Sequence, residues 1–136
     1  MRYSDLTRRY FESTPGVGVL LAEGMPAADG VFRGSAGQRE RGTWVQFDIQ
    51  VMGERLLRAR FLAFGCPHTI AVAAWVAERA SGGLLRAALP EPVQALCERF
   101  EVPQEKLGRL LIVEDAWLAV SRAAIDSAAS RPHFLG

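Results

Sequence analysis

The sequence predicts an α+β fold, in which a small antiparallel sheet of three strands carries helices on one face and a long helix ends the domain. Two runs, 45–51 and 57–64, alternate apolar and polar residues as strands with one buried face do. They flank a glycine-containing turn at 52–54, which predicts an antiparallel hairpin. From residue 70 onward the apolar residues follow helical spacings instead.

The region before the hairpin is predicted to hold one short helix and one short strand. Ser4 is a suitable N-cap for a helix within the first dozen residues. We expect three side chains on one side of this helix: Leu6, Tyr10 and Phe11. Residues 14–42 are rich in glycine, so we expect loops there, around a single strand near 31–32.

Three helices are predicted after the hairpin. Residues 70–77 are apolar on all sides, which indicates a central buried helix that ends at Ser81-Gly82-Gly83. A second helix is expected from Pro92 to Phe100, and Pro103 suits the first turn of a long final helix. The final helix has apolar residues at three- and four-residue steps: Leu107, Leu110, Leu111, Trp117, Val120, Ala124 and Ile125.

Length and composition predict one domain. The chain has 136 residues, of which 49% are hydrophobic, enough for a single core. We expect the domain to span 1–129 and residues 130–136 to form a flexible tail. The sequence starts without the apolar stretch of a secretory signal, and two cysteines do not indicate a disulfide framework. A reduced, cytoplasmic protein is therefore expected.

The charge pattern argues against two classes of partner. A net charge of +1 gives no general attraction to nucleic acid or to an anionic membrane. The basic run 33–41 lacks interleaved aromatic residues, so we interpret it as a solvated loop. No apolar run reaches the roughly 18 residues of a membrane span. We expect no nucleic-acid or membrane partner.

Cys66 is the main candidate for function. It lies in Phe64-Gly65-Cys66-Pro67-His68, where a strand is predicted to lead into a helix. Free N–H groups and the positive end of the helix dipole favour a thiolate there. Such a thiol can accept sulfur, sense redox state or bind metal; alternatively it is a small buried apolar residue. Cys97 lies within a predicted helix and is interpreted as core.

A complete metal or nucleophile site is not evident around Cys66. His68 is two residues away, but two ligands cannot close a structural site, which needs about four. His133 lies in the predicted tail, and Glu114 and Asp115 belong to a helix. We expect His68 to cap the helix or lie exposed, which leaves Cys66 as the one candidate metal ligand. A Cys–His nucleophile would need a third, orienting group, so no enzyme is expected.

Over about residues 1–126 the chain resembles the IscU/NifU N-terminal family. The resemblance rests on these motifs in order: Tyr3-Ser4-Asp5, Tyr10-Phe11-Glu12, Ala59-Arg60-Phe61, Phe64-Gly65-Cys66, Ile70-Ala71, Pro103, Lys106 and Glu114-Asp115-Ala116. It implies the same α+β fold. It also implies the role of a scaffold on which iron–sulfur clusters are assembled.

The chain departs from the family at the cluster site. Family scaffolds use three cysteines helped by an aspartate, and Cys66 matches the middle cysteine. Arg41 and Thr43 stand where the family has the first cysteine and the aspartate. The third cysteine falls at Gly108-Arg109. The resemblance therefore implies a divergent member that lacks two of the three cluster cysteines.

The resemblance also implies surfaces for partners. The family's chaperone-recognition motif Leu-Pro-Pro-Val-Lys appears here only as Val102-Pro103-Gln104-Glu105-Lys106. The residues assigned to partner docking are Tyr3, Pro103 and Lys106. The partners implied are a cysteine desulfurase or other iron–sulfur assembly proteins, and a homo-oligomer is possible.

These substitutions predict a cationic pocket around one thiol. By the resemblance, Cys66 is surrounded by Arg41, Thr43, His68 and Arg109. Arginine cannot ligate iron, but it lowers the pKa of a nearby thiol. We therefore expect no stable cluster in the monomer; iron or a cluster would need extra ligands or oligomerisation.

Two hypotheses for function follow. In the first, the chain is an accessory protein of iron–sulfur cluster assembly that docks partners or accepts sulfur on Cys66 as a persulfide. In the second, it is a non-catalytic binding module whose cationic pocket docks an anion or a protein.

Overall fold

The computed structural model describes residues 2–21 and 30–130. The elements are α1 (Asp5–Ser13), β1 (Val31–Gln38), β2 (Thr43–Met52), β3 (Arg55–Phe64), α2 (Pro67–Ala80), α3 (Val93–Phe100) and α4 (Leu107–Ser130). Single 3-10 turns lie at Arg39–Arg41 and Gln104–Lys106. The three strands form one antiparallel sheet in the order β1-β2-β3. The predicted α+β fold with a long C-terminal helix is confirmed.

Helix α1 begins as predicted, and two of the three side chains expected on one side, Leu6 and Tyr10, pack on the core. The Oγ of Ser4 accepts the backbone N–H of Thr7 at 3.1 Å, as an N-cap does. Thr7 and Tyr10 are buried, whereas Phe11 is 39% exposed, so its predicted place on the buried side is wrong. Residues three apart share a helix face, and the Thr7 hydroxyl uses that face to donate to the Phe100 carbonyl at 2.9 Å.

Strand β1 is longer than the sequence predicted. It runs from Val31 to Gln38 and continues into a 3-10 turn, so the solvated loop expected at 33–41 is wrong. The glycines that suggested a loop serve packing instead. A Cβ on Gly34 would lie 2.7 Å from the Cα of Val120, so only glycine lets α4 cross the strand this closely. Residues 22–29 of the expected loop region lie outside the described residues.

The predicted hairpin is confirmed, with one change of register. Three side chains of β2 are fully buried on the core face: Val45, Phe47 and Ile49. The β2–β3 pairing shifts between Gln50 and Val51, where β3 has one extra residue. Leu56 therefore points into the core and Leu57 is 36% exposed, the reverse of the predicted alternation.

Helices α2 and α4 cover the sheet. As predicted, α2 is central, with every residue from 71 to 77 buried. Helix α4 packs on β1 and β2 while α2 packs on β3, and Trp117 meets the ring of Phe47 edge-on at 5.2 Å. In α4, Leu111 and Ile125 are exposed, contrary to the predicted apolar stripe, and Val113 and Ala116 are buried in their stead.

The predicted domain boundary at 129 and the flexible tail stay predictions. Helix α4 continues to Ser130, one residue into the expected tail, and residues 131–136 lie outside the described part of the chain. None of the helices in the described ranges combines the length and apolar character needed to cross a bilayer.

A buried ion pair fixes the segment before β1 to the sheet. Asp48 is 1% exposed and accepts from Arg33 Nε at 2.7 Å and from the backbone N–H of Leu20 at 2.8 Å. Burial alone would raise the pKa of this carboxyl, but the Arg33 guanidinium and the Leu20 N–H outweigh it and lower the pKa.

Candidate functional site

Cys66 is placed at the junction that the sequence indicated. Strand β3 ends at Phe64, and Cys66 is the N-cap of α2 with extended backbone angles of φ −76° and ψ 166°. Pro67 occupies the first turn of the helix, where its fixed φ suits the geometry. The Cys66 side chain is partly exposed, and its Sγ lies 3.6 Å from the Thr69 hydroxyl oxygen. The thiol is thus held at the helix start and remains accessible.

The surroundings of Cys66 lower the pKa of its thiol. Burial by itself would raise that pKa, but several hydrogen bonds to the sulfur outweigh it. Thr69 contributes through its hydroxyl and its backbone N–H, and Arg109 and the His68 N–H add smaller effects in the same direction. The sequence analysis missed Thr69, although a hydroxyl three residues after a helix-start cysteine is a readable signal.

A cleft of about 460 Å³ lies between the turn before β2 and the start of α4, and among the described residues Cys66 does not line it. Its lining includes three of the residues assigned to the pocket from the sequence: Arg41, Thr43 and Arg109. Arg109 connects the cleft to the sulfur, because it also hydrogen-bonds Cys66. Arg41 lines the cleft but is not among the groups that shift the pKa of Cys66. Of the two predicted guanidinium groups, Arg109 is the one that contributes to the lowered pKa of Cys66.

Five further cleft residues were not anticipated as pocket residues: Gly37, Gln38, Glu105, Gly108 and Ile112. Glu105 lies four residues before Arg109, a spacing that places both near one face of the helix start. That spacing could have been read from the sequence. Gln38 ends β1, and its place in the cleft depends on the unexpected length of that strand.

His68 lies beneath the surface rather than on it. Its residue exposure is 1%, so the expectation that it caps the helix or lies exposed is wrong. The Tyr3 ring packs against it at 4.8 Å between ring centroids, and Lys106 Nζ lies 3.3 Å from its Nδ1. Burial, then the charges of Lys106 and Arg109, lower the pKa of His68 to about 4. Among the described residues that line the cleft, His68 is absent.

Two of the three predicted docking residues contact each other inside the chain. Lys106 is 9% exposed, and its Nζ lies 5.5 Å from the centre of the Tyr3 ring. Pro103 precedes the 3-10 turn that leads into α4. Tyr3 and Lys106 thus hold the N-terminal segment against the start of α2, and their role in docking a partner stays a prediction.

The donor set does not fit an iron–sulfur cluster. Among residues 2–21 and 30–130, no group of three or more His, Cys, Asp or Glu side chains is placed to hold a metal ion. Cys97 is buried in α3, and burial raises the pKa of its thiol, in keeping with a core residue. Arg41 and Arg109 have no lone pair to donate to iron. Cys66 as a metal ligand remains a prediction, and His133 lies outside the described residues.

Comparison with known proteins identifies the family. The family model described as NifU-like N terminal domain matches residues 2–126. The chain belongs to this family. The resemblance predicted from the motifs is thereby confirmed, and at the level of the family the match supports a role as a scaffold in iron–sulfur cluster assembly.

Solved structures agree on the fold. A nitrogen-fixing NifU-like protein (N-terminal) from Brucella abortus has a TM-score of 0.67 and 16% identity, over 90% of this chain and 94% of that chain. A candidate iron–sulfur cluster assembly scaffold protein for the SUF system from Fervidobacterium islandicum gives a TM-score of 0.47 and 16% identity, over 91% and 94%. At 16% identity the likeness to the Brucella abortus protein supports the fold alone. No curated protein sequence matches the chain.

Proposed function

We propose that this NifU-like domain is an accessory protein of iron–sulfur cluster assembly that accepts sulfur on Cys66 as a persulfide. The observation that carries the proposal is the partly exposed Cys66 thiol, whose pKa is lowered by Thr69 and Arg109. The thiolate is the nucleophilic form of cysteine, so a lowered pKa increases the fraction able to accept sulfur near neutral pH.

The proposed sulfur donor is the persulfide of a cysteine desulfurase. The Cys66 thiolate attacks the outer sulfur of the donor's S–SH group, and a new S–S bond forms on Cys66. The donor's S–S bond breaks, and its inner sulfur leaves as a thiolate with the bonding electron pair. The terminal proton stays with the transferred sulfur, so no oxidant or reductant is consumed. Arg109 and the Thr69 hydroxyl can stabilise negative charge on sulfur before and after the transfer.

The proposal assigns no catalytic turnover and no resident cluster to the monomer. Iron or a cluster would need ligands from a partner or from a second copy of the chain, because arginine replaces cysteine at two family positions. We place the protein in the reducing cytoplasm, where Cys66 stays a free thiol. The surface supported by Tyr3, Pro103 and Lys106 is proposed to dock its assembly partners.

Mass spectrometry tests sulfur acceptance directly. The chain is incubated without oxygen with a cysteine desulfurase, its pyridoxal cofactor and cysteine, then digested and mapped. We expect a gain of about 32 Da, one sulfur atom, on the Cys66 peptide. Cys66→Ser should abolish it, whereas Cys97→Ser, at the buried cysteine, should retain it. Absence of the gain in wild type would reject the sulfur-acceptor role.

The cleft beside Cys66 favours a second candidate, a binding module without sulfur chemistry. Here the cationic lining, not the thiol, makes the functional contact. If Cys66→Ser retains binding to an assembly partner while Arg109→Ala loses it, the binding module is supported. Loss of partner binding in Cys66→Ser alone would favour the thiol.

A further inference from the structure

The cleft beside Cys66 brings together two arginines that are distant in sequence. Arg41 ends the 3-10 turn between β1 and β2, and Arg109 is the third residue of α4. Both line the same cavity of about 460 Å³. That volume is in the range of small-molecule sites. The fold thus places two permanent positive charges around a space large enough for a ligand.

Within the described residues, neither arginine forms an ion pair with a carboxylate. The ion pairs within residues 2–21 and 30–130 use three other cations: Arg8, Arg33 and Arg99. Arg109 does hydrogen-bond Cys66, but a guanidinium has five N–H donors and keeps several for a second acceptor. The single acidic side chain of the cleft lining is Glu105.

The rest of the lining supplies neutral donors and open space. The hydroxyl of Thr43 and the amide of Gln38 both line the cleft and can donate hydrogen bonds. Gly108 forms part of the wall, and a Cβ built there would find no atom within 4 Å. The cleft therefore offers charged and neutral donors around an open volume, because Gly108 has no side chain that could fill it.

We propose that this cleft is a binding site for a small oxyanion, a phosphate or carboxylate group held between Arg41 and Arg109. The planar fork of a guanidinium matches both groups with paired hydrogen bonds. Thr43 and Gln38 complete the donor set, and Glu105 opposes binding through its negative charge. The site needs no chemistry at Cys66, so it goes beyond sulfur acceptance and stands or falls separately.

NMR titration of the full chain measures this binding at single residues. Inorganic phosphate and, separately, acetate are added at constant ionic strength, with chloride as the reference anion. We expect saturable shifts of the backbone amides that line the cleft. Arg41→Gln and Arg109→Gln should each weaken binding at least about tenfold, the loss expected for a charge-assisted hydrogen bond.

Variants that remove a negative or a positive charge distinguish a specific binding site from general electrostatic attraction. Glu105→Gln removes the opposing charge and should tighten binding. Arg122→Gln removes one positive charge from an exposed position on the same helix, α4, and should leave binding unchanged. Equal weakening by Arg122→Gln and Arg41→Gln would show an adventitious ion only and overturn the proposal.

A third pair of variants keeps both arginines. Gly108→Glu places a carboxylate at the open wall and should abolish binding, whereas Gly108→Ala should not. Saturable binding of either anion supports the site and assigns its class; binding of neither overturns it. Cys66→Ser should still bind, so this site can survive a failure of sulfur transfer. Conversely, persulfide formation without anion binding would reject the site alone.

Discussion

The chemistry of Cys66 depends on hydrogen bonds from few residues. Burial of the sulfur disfavours the thiolate, and Thr69, Arg109 and the His68 N–H reverse that effect. Because these donors lie on two helices, α2 and α4, the reactivity of the thiol reports how those helix starts are held together. Within the described part of the chain Cys97 lacks such donors, and burial together with the charge of Glu98 raises its pKa instead.

The pKa of Cys66 is a direct test of this arrangement. We expect the rate of Cys66 alkylation against pH to give an apparent pKa below the ordinary value of about 8.5. Thr69→Val and Arg109→Gln should each raise it, because each removes a hydrogen bond to the thiolate. The Cys97→Ser background isolates the signal, and Arg122→Gln is the charge-matched control. A wild-type value at or above about 8.5 would contradict the assignment.

His68 gives the fold a pH dependence of known sign. Its pKa is lowered to about 4 in the folded chain, against about 6.5 in an unfolded chain. The unfolded chain therefore binds more protons between these values. The contribution of His68 to the free energy of unfolding is fully present above about pH 6.5 and is lost as the pH falls toward 4. The groups that face the ring are Tyr3, Lys106 and Arg109, and neither cation can neutralise a protonated imidazole.

Urea unfolding at pH 7 and pH 5 measures this dependence. Between pH 7 and pH 5, wild type should lose about 1–2 kcal/mol of unfolding free energy because of His68 alone. His68→Asn keeps an acceptor near Nδ1 but cannot be protonated, so its loss should be smaller. The His133→Asn variant controls for the other histidine. If wild type and His68→Asn lose the same amount, the histidine is not responsible.

At the scale of elements, β1 and α4 depend on glycine for their close packing. The backbone of Val120 lies over Gly34, where a Cβ would be 2.7 Å from a Cα. The atoms that a Cβ on Gly34 would meet belong to the backbone of α4, so a change of side-chain rotamer cannot relieve the clash. Strand and helix would have to separate to admit even one methyl group.

Alanine scanning at two glycines tests this packing. Gly34→Ala should lower the free energy of unfolding by about 1–3 kcal/mol, the range for an overpacked core. Gly108→Ala, in the first turn of α4 with open space at its Cβ, should be neutral or stabilising by up to about 1 kcal/mol. Chemical denaturation of both variants decides; equal effects would contradict a specific close approach at Gly34.

Much of this secondary structure could be predicted from the sequence because the patterns were local. The hairpin alternation, the cap at Ser4 and the all-round apolar α2 each act within a few residues. The incorrect predictions had non-local causes. Leu57 is exposed because a bulge shifts the pairing of β3 with β2. Gly34 marks a strand, not a loop, because a helix more than eighty residues later packs on it.

At the scale of the whole molecule, the candidate site could be predicted only in part because it joins segments that are distant in sequence. Cys66 and its place at a helix start followed from neighbouring residues, whereas the cleft joins segments around residues 41 and 109. Only the family resemblance indicated that these segments meet. It did not indicate that Arg41 faces the cleft without shifting the pKa of Cys66, or that His68 is covered by the N-terminal segment. Those details depend on tertiary packing.

Restoring the missing thiols tests the site at the scale of the molecule. Arg41 and Arg109 occupy the positions that the resemblance assigns to cluster cysteines, and both line the cleft beside Cys66. A double variant, Arg41→Cys with Arg109→Cys, places three thiols there, with Thr43→Asp as a further ligand. Soft thiolates are the ligands that iron–sulfur clusters require. We expect anaerobic reconstitution with iron and sulfide to give visible absorbance and cluster mass in this variant but not in wild type.

The controls of that experiment separate the fold from the ligands. Adding Cys66→Ser to the double variant should remove most of the absorbance, because the middle thiol is lost. Arg58→Cys with Arg122→Cys adds two thiols on exposed surfaces away from the cleft and should give none. A stoichiometric cluster in wild type would show that ligands beyond those of the cleft suffice. Failure of the double variant, if it folds, would place the three positions too far apart, and the substitution of cysteine by arginine would then not explain the altered site.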